Sequence, residues 1–357
     1  MEIKRIKKRV VKIGNIRIGG NNPVAIQSMA KTETSDIEKT VSQIQGLQNV
    51  GCEIVRLAVK DIADAKALRK IKRRVRIPVV ADIHFDWRLA MTAIENGVDK
   101  VRLNPGNIFR KAEIAEIVSA AKLARIPIRV GVNSGSVRGG QVSVDRMVRS
   151  GRDYIKTLEG LKFRDIVVSL KASNVPDTIE AYRKMSKLCD YPLHLGVTAT
   201  GAPFKGTIKS SIAIGALLSE GIGDTIRVSL TDNPQREVLA AKAILESLEL
   251  RRFGPQIISC PTCGRCEVDL VRIVEKLENS LARYPVQQAN RQTGKPIKIA
   301  IMGCVVNGPG EAKEADIGIA FGKKEGLVFK GGRAIRKVSN SSCIDYLLKE
   351  IGGKQCR

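Results

Sequence analysis

From residue 24 to about residue 230 the chain alternates short, β-branched apolar runs with longer amphipathic stretches. The runs are VAIQSM (24–29), CEIVRLAV (52–59), IPVVADIHF (77–85), KVRLNP (100–105), PIRVGVN (127–133), DIVVSLKA (165–172), PLHLGVTA (192–199) and DTIRVSL (224–230). They are apolar at successive positions rather than at alternate ones, which suits parallel strands buried on both faces. The stretches between them have helical periodicity. In residues 35–50, Ser35 and Glu38 predict a capping box, Ile37, Val41, Ile44 and Leu47 share one face, and Gly51 stands where a helix C-cap favours glycine. Eight strand–helix units in about 230 residues predict a TIM barrel, with a doubly wound sheet of eight strands as the rival.

Two short β-like runs, IKKRVVKIG and NIRIGG, precede the barrel and predict a hairpin that closes its floor. Near ELRRFGPQ, residues 249–256, the periodicity stops, and the remainder is a Gly-rich mixture of strands and helices. The expected division is therefore a TIM-barrel substrate-binding domain over 1–250 and a smaller α+β domain over 251–357.

In such a barrel the chemistry sits at the C-terminal ends of the strands, so the polar residues that interrupt the apolar runs are the candidates. Strand by strand they are Arg56; Asp82 and His84; Arg102 and Asn104; Arg129 and Asn133; Ser169 and Lys171; His194 and Thr198; Arg227 and Ser229. Four arginines and a lysine converging on one mouth, with few carboxylates, leave uncompensated positive charge, and such a site wants an anion. Guanidinium forks bind phosphate bidentately, so a phosphorylated substrate is the economical reading. Lys205 and Lys209, beside a predicted helix N-terminus, add to it.

Charge and composition narrow this further. A net charge of +25 over 357 residues attracts polyanions of any kind, nucleic acid included. Aromatics make up only 4% of the chain, however, and no RNP, KH or helix-turn-helix signature is present, which argues against a nucleic-acid partner. No run approaches the roughly eighteen apolar residues of a membrane span. The basic N-terminus lacks the apolar core of a secretory signal, so a cytoplasmic protein is expected.

Eight cysteines are present, three of them in CxxCxxC at Cys260, Cys263 and Cys266, with Cys304 forty residues on in GCVVNGPGE. The two-residue turn of CxxC brings two sulfurs to one side, which suits a metal. A zinc ribbon usually has a second CxxC pair, whereas Cys304 stands alone, so an iron-sulfur cluster is preferred over zinc. Spacing favours Cys266 as the fourth ligand, while the NGPGE turn carries Glu311 back towards Cys304. Cys52, Cys189, Cys343 and Cys356 have no ligand-like spacing and read as structural thiols. A zinc-ribbon nucleic-acid-binding protein is the alternative from another class.

The segments VADIHFD, VRLNPGN, RVGVNSGS, SCPTCGRC and GCVVNGPGE, in this order over nearly the whole chain, resemble the bacterial 4-hydroxy-3-methylbut-2-enyl diphosphate synthase family. The resemblance implies a TIM barrel joined to a reductase-like domain with a [4Fe-4S] cluster held by Cys260, Cys263, Cys304 and Glu311. Glu311, a replaceable ligand, would be the catalytic position at the cluster. It further implies reductive opening of 2-C-methyl-D-erythritol 2,4-cyclodiphosphate with electrons from ferredoxin or flavodoxin, in a homodimer. Arg56, His84, Arg102, Arg129, Asn133, Lys171, Arg227 and Ser229 would bind the substrate. One departure matters: many members read LGVTEAGG where this chain has LGVTATGA, so Ala199 replaces an acid.

Overall fold

The apolar runs end where short polar side chains take over the free backbone N–H groups of the following helix. Asp61 accepts from Asp64 N, Asp86 from Arg88 N, Asn174 from Asp177 N and Asn233 from Gln235 N. In the computed structural model, which describes residues 3–137, 143–198, 200–281, 297–304, 310 and 315–352, the chain divides into two compact units, Met1–Arg251 and Arg252–Arg357. The first contains β1 (Val11–Ile13), β2 (Ile16–Ile18), β3 (Ala25–Met29), α1 (Ile37–Asn49), β4 (Ile54–Val59), α2 (Ile62–Lys72), β5 (Val79–Ile83) and α3 (Trp87–Glu95). It continues with β6 (Lys100–Leu103), α4 (Lys111–Ala124), β7 (Ile128–Asn133), α5 (Val144–Gly160), β8 (Ile166–Lys171), α6 (Val175–Leu188), β9 (His194–Leu195), α7 (Pro203–Ser219), β10 (Thr225–Ile226) and α8 (Pro234–Ser247).

Strands β3 to β10 form one parallel sheet in the order β8-β7-β6-β5-β4-β3-β10-β9. A parallel bridge from Val168 to Leu193, with Val168 N donating to Pro192 O at 2.9 Å, joins its two ends. The sheet is thereby a closed eight-stranded barrel, not the doubly wound rival. The last two strands are far shorter than their apolar runs. Beyond Leu195, Thr198 N donates to Ala172 O at 3.1 Å; beyond Ile226 side chains take part, Thr200 Oγ1 donating to Ser229 O and Glu237 Oε1 accepting from Leu230 N at 3.0 Å.

The expected Ser35–Glu38 capping box is not formed. Helix α1 starts one residue later than that box requires, with Asp36 as its cap, accepting from Lys39 N at 3.2 Å. Ser35 N donates instead to Asp64 Oδ1 at 2.8 Å, and Glu38 pairs with Arg74. An ionised carboxylate accepts more strongly than a hydroxyl, and Glu38 finds a full charge just past α2.

Strands β1 and β2 pair antiparallel with Val11 opposite Ile18 and Ile13 opposite Ile16. Val11, Ile13 and Ile18 pack against Ala25, Ile54, Val80 and Val167, all at or next to the first residues of their barrel strands. The hairpin thus plugs the floor, leaving the opposite, C-terminal end of the barrel open. No helix among the described residues is long and apolar enough to cross a membrane.

The second unit holds β11 (Gln256–Ser259), α9 (Leu270–Leu281), β12 (Lys298–Met302), β13 (Ile317–Phe321), β14 (Glu325–Lys330), β15 (Arg333–Ser339) and α10 (Cys343–Gly352). Its sheet runs β11-β12-β13-β14-β15, parallel between the first three strands and antiparallel thereafter. Ile299, Ile301, Ile317, Ile319 and Phe321 face a core closed by Leu270 and Leu277 of α9 and Leu347 and Ile351 of α10. The alternate residues Ala300, Met302 and Ala320 pack on the other face with Phe329.

Ile13 is fully buried in the floor plug. Ile13→Ala is expected to destabilise the barrel by about 2–4 kcal/mol, read as a lowered denaturation midpoint; an unchanged midpoint would show that the hairpin does not seal the floor.

Candidate active site

Parallel pairing sets the strand-end side chains in tiers. Asp82 is registered with Arg102, and Arg102 with Arg129, so three charged residues of adjacent strands share one level. Asn133 is opposite Lys171, four residues further along the strand towards the mouth, with Gly131 opposite Ser169 between. With Arg56, His84, Ser169, Arg227 and Ser229 these residues line one cavity of about 300 Å³. All eight residues expected at the substrate site lie on its wall. His194 does not: it is fully buried, its Nδ1 is 2.7 Å from Thr225 Oγ1, and burial first, then the neighbouring cations, push its pKa well below the ordinary value. Lys205 and Lys209 project into solvent from α7 and do not line the cavity.

Among the described lining residues Asp82 is the one carboxylate. Arg102 Nη1 donates to Asp82 Oδ1 at 3.1 Å, and Arg56 Nε lies 3.5 Å from Oδ2. Burial would raise the Asp82 pKa, but Arg56, Arg102 and Arg129 outweigh it and hold the carboxyl well below the usual range. Asp82 is therefore a fixed anion rather than a proton donor. Arg56 also donates to the Met29 sulfur, at 3.2 Å from Nε and 2.8 Å from Nη2. Burial, followed by mutual repulsion, lowers the pKa values of Arg129 and Lys171 well below normal, and brings Arg227 down to about 10 against the opposing pull of Glu237.

Several donors in this wall have no partner. Arg102 Nε, Arg129 Nε and Nη1, and Arg227 Nε are buried without a hydrogen bond. An unpaired buried N–H costs about 1–3 kcal/mol, so the cavity is complementary to a group that is not protein. On a wall whose one described carboxylate is Asp82, this excess of guanidinium groups selects an anion with several acceptor oxygens. A second depression of about 270 Å³, lined in part by Arg9, Arg152, Glu159, Arg164 and Tyr191, has no such demand, because Glu159 already accepts from Arg164 and Tyr191.

Sequence reasoning passed over the residues that make this crowding possible. A Cβ on Gly131 would stand 2.3 Å from Arg102 Nε, and one on Gly196 2.8 Å from Lys171 Nζ. Glycine inside a strand signals close approach of another group, so VGV and LGV carried the cue. Lys100, fully buried with Gln27 Oε1 at 3.5 Å, lies nearer the floor and was also missed.

In the second unit Cys260 follows β11, and Cys304 comes two residues after β12. Parallel register puts Ser259 opposite Ile301 and brings Gly303 N within 3.3 Å of Cys260 Sγ. A Cβ on Gly303 would be 2.4 Å from Cys266 Sγ, so two cysteine sulfurs crowd the residue before Cys304. Cys266 N donates to Cys263 O at 2.9 Å, closing the CxxC turn, while the Cys266 thiol donates to Val268 O at 3.2 Å and packs on the core. The exposed Cys263 thiol is held below its usual range by the Arg265 backbone N–H and guanidinium.

As they stand, no three His, Cys, Asp or Glu side chains among the described residues are gathered into metal-ligand geometry. Glu311 lies outside the described residues. In kind, the donor set fits a thiolate-bound group: Cys260 and Cys304 lie just past neighbouring strand ends, Cys263 is exposed between them in sequence, and Arg265 stabilises thiolate charge. Of the presumed structural thiols, Cys52 is buried and pushed up to about 12 by burial, Cys189 and Cys343 are likewise raised, and Cys356 lies outside the described residues.

The description GcpE TIM-barrel domain matches residues 8–242, and GcpE protein C-terminal domain matches residues 256–353. The 4-hydroxy-3-methylbut-2-en-1-yl diphosphate synthase (flavodoxin) of Fusobacterium nucleatum subsp. nucleatum is 53% identical over 349 residues, covering 96% of each chain. The proteins of the same name from Lawsonia intracellularis and Ruminiclostridium cellulolyticum are 54% and 51% identical over 355 residues, 97% and 98% of this chain and 96% and 98% of their own. Among solved structures, dihydropteroate synthase from Stenotrophomonas maltophilia superposes with a TM-score of 0.52 at 11% identity, over 67% of this chain and 98% of its own, a likeness of fold alone. With both family domains matched in order and relatives about half identical over nearly the full length, the chain belongs to the GcpE family.

Proposed function

We propose that this chain is a 4-hydroxy-3-methylbut-2-en-1-yl diphosphate synthase acting on 2-C-methyl-D-erythritol 2,4-cyclodiphosphate in isoprenoid biosynthesis. The observation that carries the substrate assignment is the set of buried, incompletely paired guanidinium groups of Arg102, Arg129 and Arg227 on a wall whose one described carboxylate is Asp82. A cyclic diphosphate offers the multiple anionic oxygens that those donors require, and its relatives' shared name supplies the chemistry.

In the reaction two electrons and one proton enter, a ring C–O bond to phosphate breaks, a hydroxyl leaves as water, and a carbon–carbon double bond forms. Arg129, Lys171 and Arg227 hold the diphosphate, Arg56 and Arg102 are oriented by Asp82, and Asn133, Ser229 and His84 complete the wall. The low-dielectric mouth strengthens each of these contacts and keeps the leaving phosphate oxygen stabilised as its charge develops. Ala199 provides no acid, and Asp82 stays ionised, so neither of these positions delivers the proton.

A [4Fe-4S] cluster held by Cys260, Cys263, Cys304 and Glu311 would supply the electrons one at a time, at low potential. Flavodoxin, which the relatives' names carry, is the proposed donor, with ferredoxin as the alternative. Free thiols at all seven described cysteines are in keeping with a cytoplasmic protein, and a homodimer is the proposed assembly. Substrate binding is assigned to the barrel unit, Met1–Arg251, and the cluster to the unit Arg252–Arg357, one residue from the expected boundary. The zinc-ribbon reading has no support once the family is known.

Anaerobically purified protein is expected to contain iron and sulfide, and to convert the cyclic diphosphate with reduced flavodoxin; protein containing zinc without iron would overturn the redox reading. Arg129→Met separates function from stability. Because the guanidinium is buried without full pairing, removing it should raise stability by roughly 1–3 kcal/mol while weakening cyclic diphosphate binding by about a hundredfold or more. A lowered thermal midpoint would mean that Arg129 is satisfied within the fold. For the fourth ligand, Cys266→Ser is expected to leave iron and sulfide content unchanged, since that thiol is turned to Val268 O and the core; cluster loss would favour four sulfur ligands.

A further inference from the structure

Strand β10 brings Arg227 and Ser229 to the mouth, yet its sheet pairing to β3 and β9 stops at Ile226. One backbone bond continues it, from Arg227 N to Leu195 O at 3.0 Å. What fixes the segment 227–230 beyond that point is a cluster centred on Glu237, in the first turn of α8 and only 1% exposed. Its carboxylate accepts from Leu230 N at 3.0 Å and from Ser28 Oγ at 3.2 Å, and pairs with Lys31 Nζ at 3.1 Å and Arg227 Nη2 at 3.3 Å. Lys31 Nζ in turn donates to Leu230 O at 2.6 Å, and Thr200 Oγ1 donates to Ser229 O.

Two consequences follow from this geometry. Glu237 stands where a neighbouring strand would otherwise hold the backbone, so the place of Ser229 in the wall depends on it. It also takes the Nη2 edge of the Arg227 guanidinium and fixes its plane, leaving Nε buried without a partner at a residue that lines the cavity. A carboxylate that merely neutralised charge would not need to bind the backbone of the same segment.

We infer that Glu237 is a positioning residue of the active site: through Arg227 and the 227–230 backbone it sets the anion-binding groups that the eighth barrel strand contributes. This rests on the reading of the mouth as a diphosphate site. Glu237 does not face the cavity wall itself and touches no reacting atom, so its effect is on binding and is carried by Arg227 and Ser229.

The test is a double-mutant cycle on the full-length, cluster-loaded protein, with the cyclic diphosphate titrated calorimetrically into the parent, Glu237→Gln, Arg227→Met and the double variant. Glu237→Gln keeps one acceptor oxygen but loses the charge, and is expected to weaken binding about tenfold. In the Arg227→Met background the same change should cost less than about threefold, because the group it orients is gone. Glu237→Asp, which keeps the charge, should bind with an affinity between those of the parent and Glu237→Gln; it also serves in the cycle if the glutamine variant does not fold. Losses that multiply across the two sites, or an unchanged affinity in Glu237→Gln, would overturn the assignment while leaving the diphosphate reading intact. Absence of binding by the parent itself would overturn the diphosphate reading, and this inference with it.

Discussion

Positive charge buried at one end of a barrel is the constraint around which this molecule is arranged. Arg56, Arg102, Arg129, Lys171 and Arg227 are all largely withdrawn from water at the same mouth, where Asp82 is the one described carboxylate on the wall. Placed so, they repel one another and lose hydration, which is why burial and neighbouring cations depress the pKa values of Arg129 and Lys171. Such an arrangement persists only because the rest of the barrel is well packed: the strands beneath are buried on both faces, and the hairpin β1–β2 closes the floor with Val11, Ile13 and Ile18. The apolar core stabilises the fold enough to carry a site that by itself destabilises it, and the missing counter-charge is left for the substrate.

Both units place their chemistry by the same rule. In the barrel the cavity is lined from mid-strand, by Arg56 and Arg129, up to the C-terminal strand ends, by Asn133 and Lys171, and just beyond them, by His84 and Ser229. In the second unit Cys260 comes directly after β11, Cys304 comes just after β12, and these strands pair in parallel. A parallel strand ends where its backbone groups run out of partners, so side chains there are free to face a ligand. Small residues then permit the close approach: Gly131 beside Arg102 in the barrel, Gly303 between the sulfurs of Cys260 and Cys266 in the other unit.

Much of this was legible in the linear pattern. The continuous apolar runs gave strands buried on both faces, and most of the polar residues breaking them line one cavity, Asn104 and the fully buried His194 being the exceptions. Less legible were features set by competition between nearby partners. Ser35 loses the helix cap to Asp36 because a carboxylate accepts better and Ser35 N is drawn to Asp64. The runs 192–199 and 224–230 form only short strands, and in the second of them side chains of Thr200 and Glu237 replace the sheet as partners. Glu237 itself reads in sequence as an ordinary acidic residue in a helix's first turn, and nothing in its spacing points to Arg227.

By itself the sequence determined the period of the core and the order of the strand ends, since hydrophobic burial is non-directional and needs only apolar residues at the right interval. It also specified the thiol spacing, and with it the kind of group that the second unit can hold. Tertiary structure alone decided which charges meet. Asp82 compensates Arg102 and Arg56, Glu237 compensates Arg227 and Lys31, and Arg129 and Lys171 have no carboxylate against them among the described residues. Electrostatic and hydrogen-bond energies depend on distances of a few ångström between residues far apart in the chain. Closure of the barrel fixes those distances, and no sequence interval encodes them.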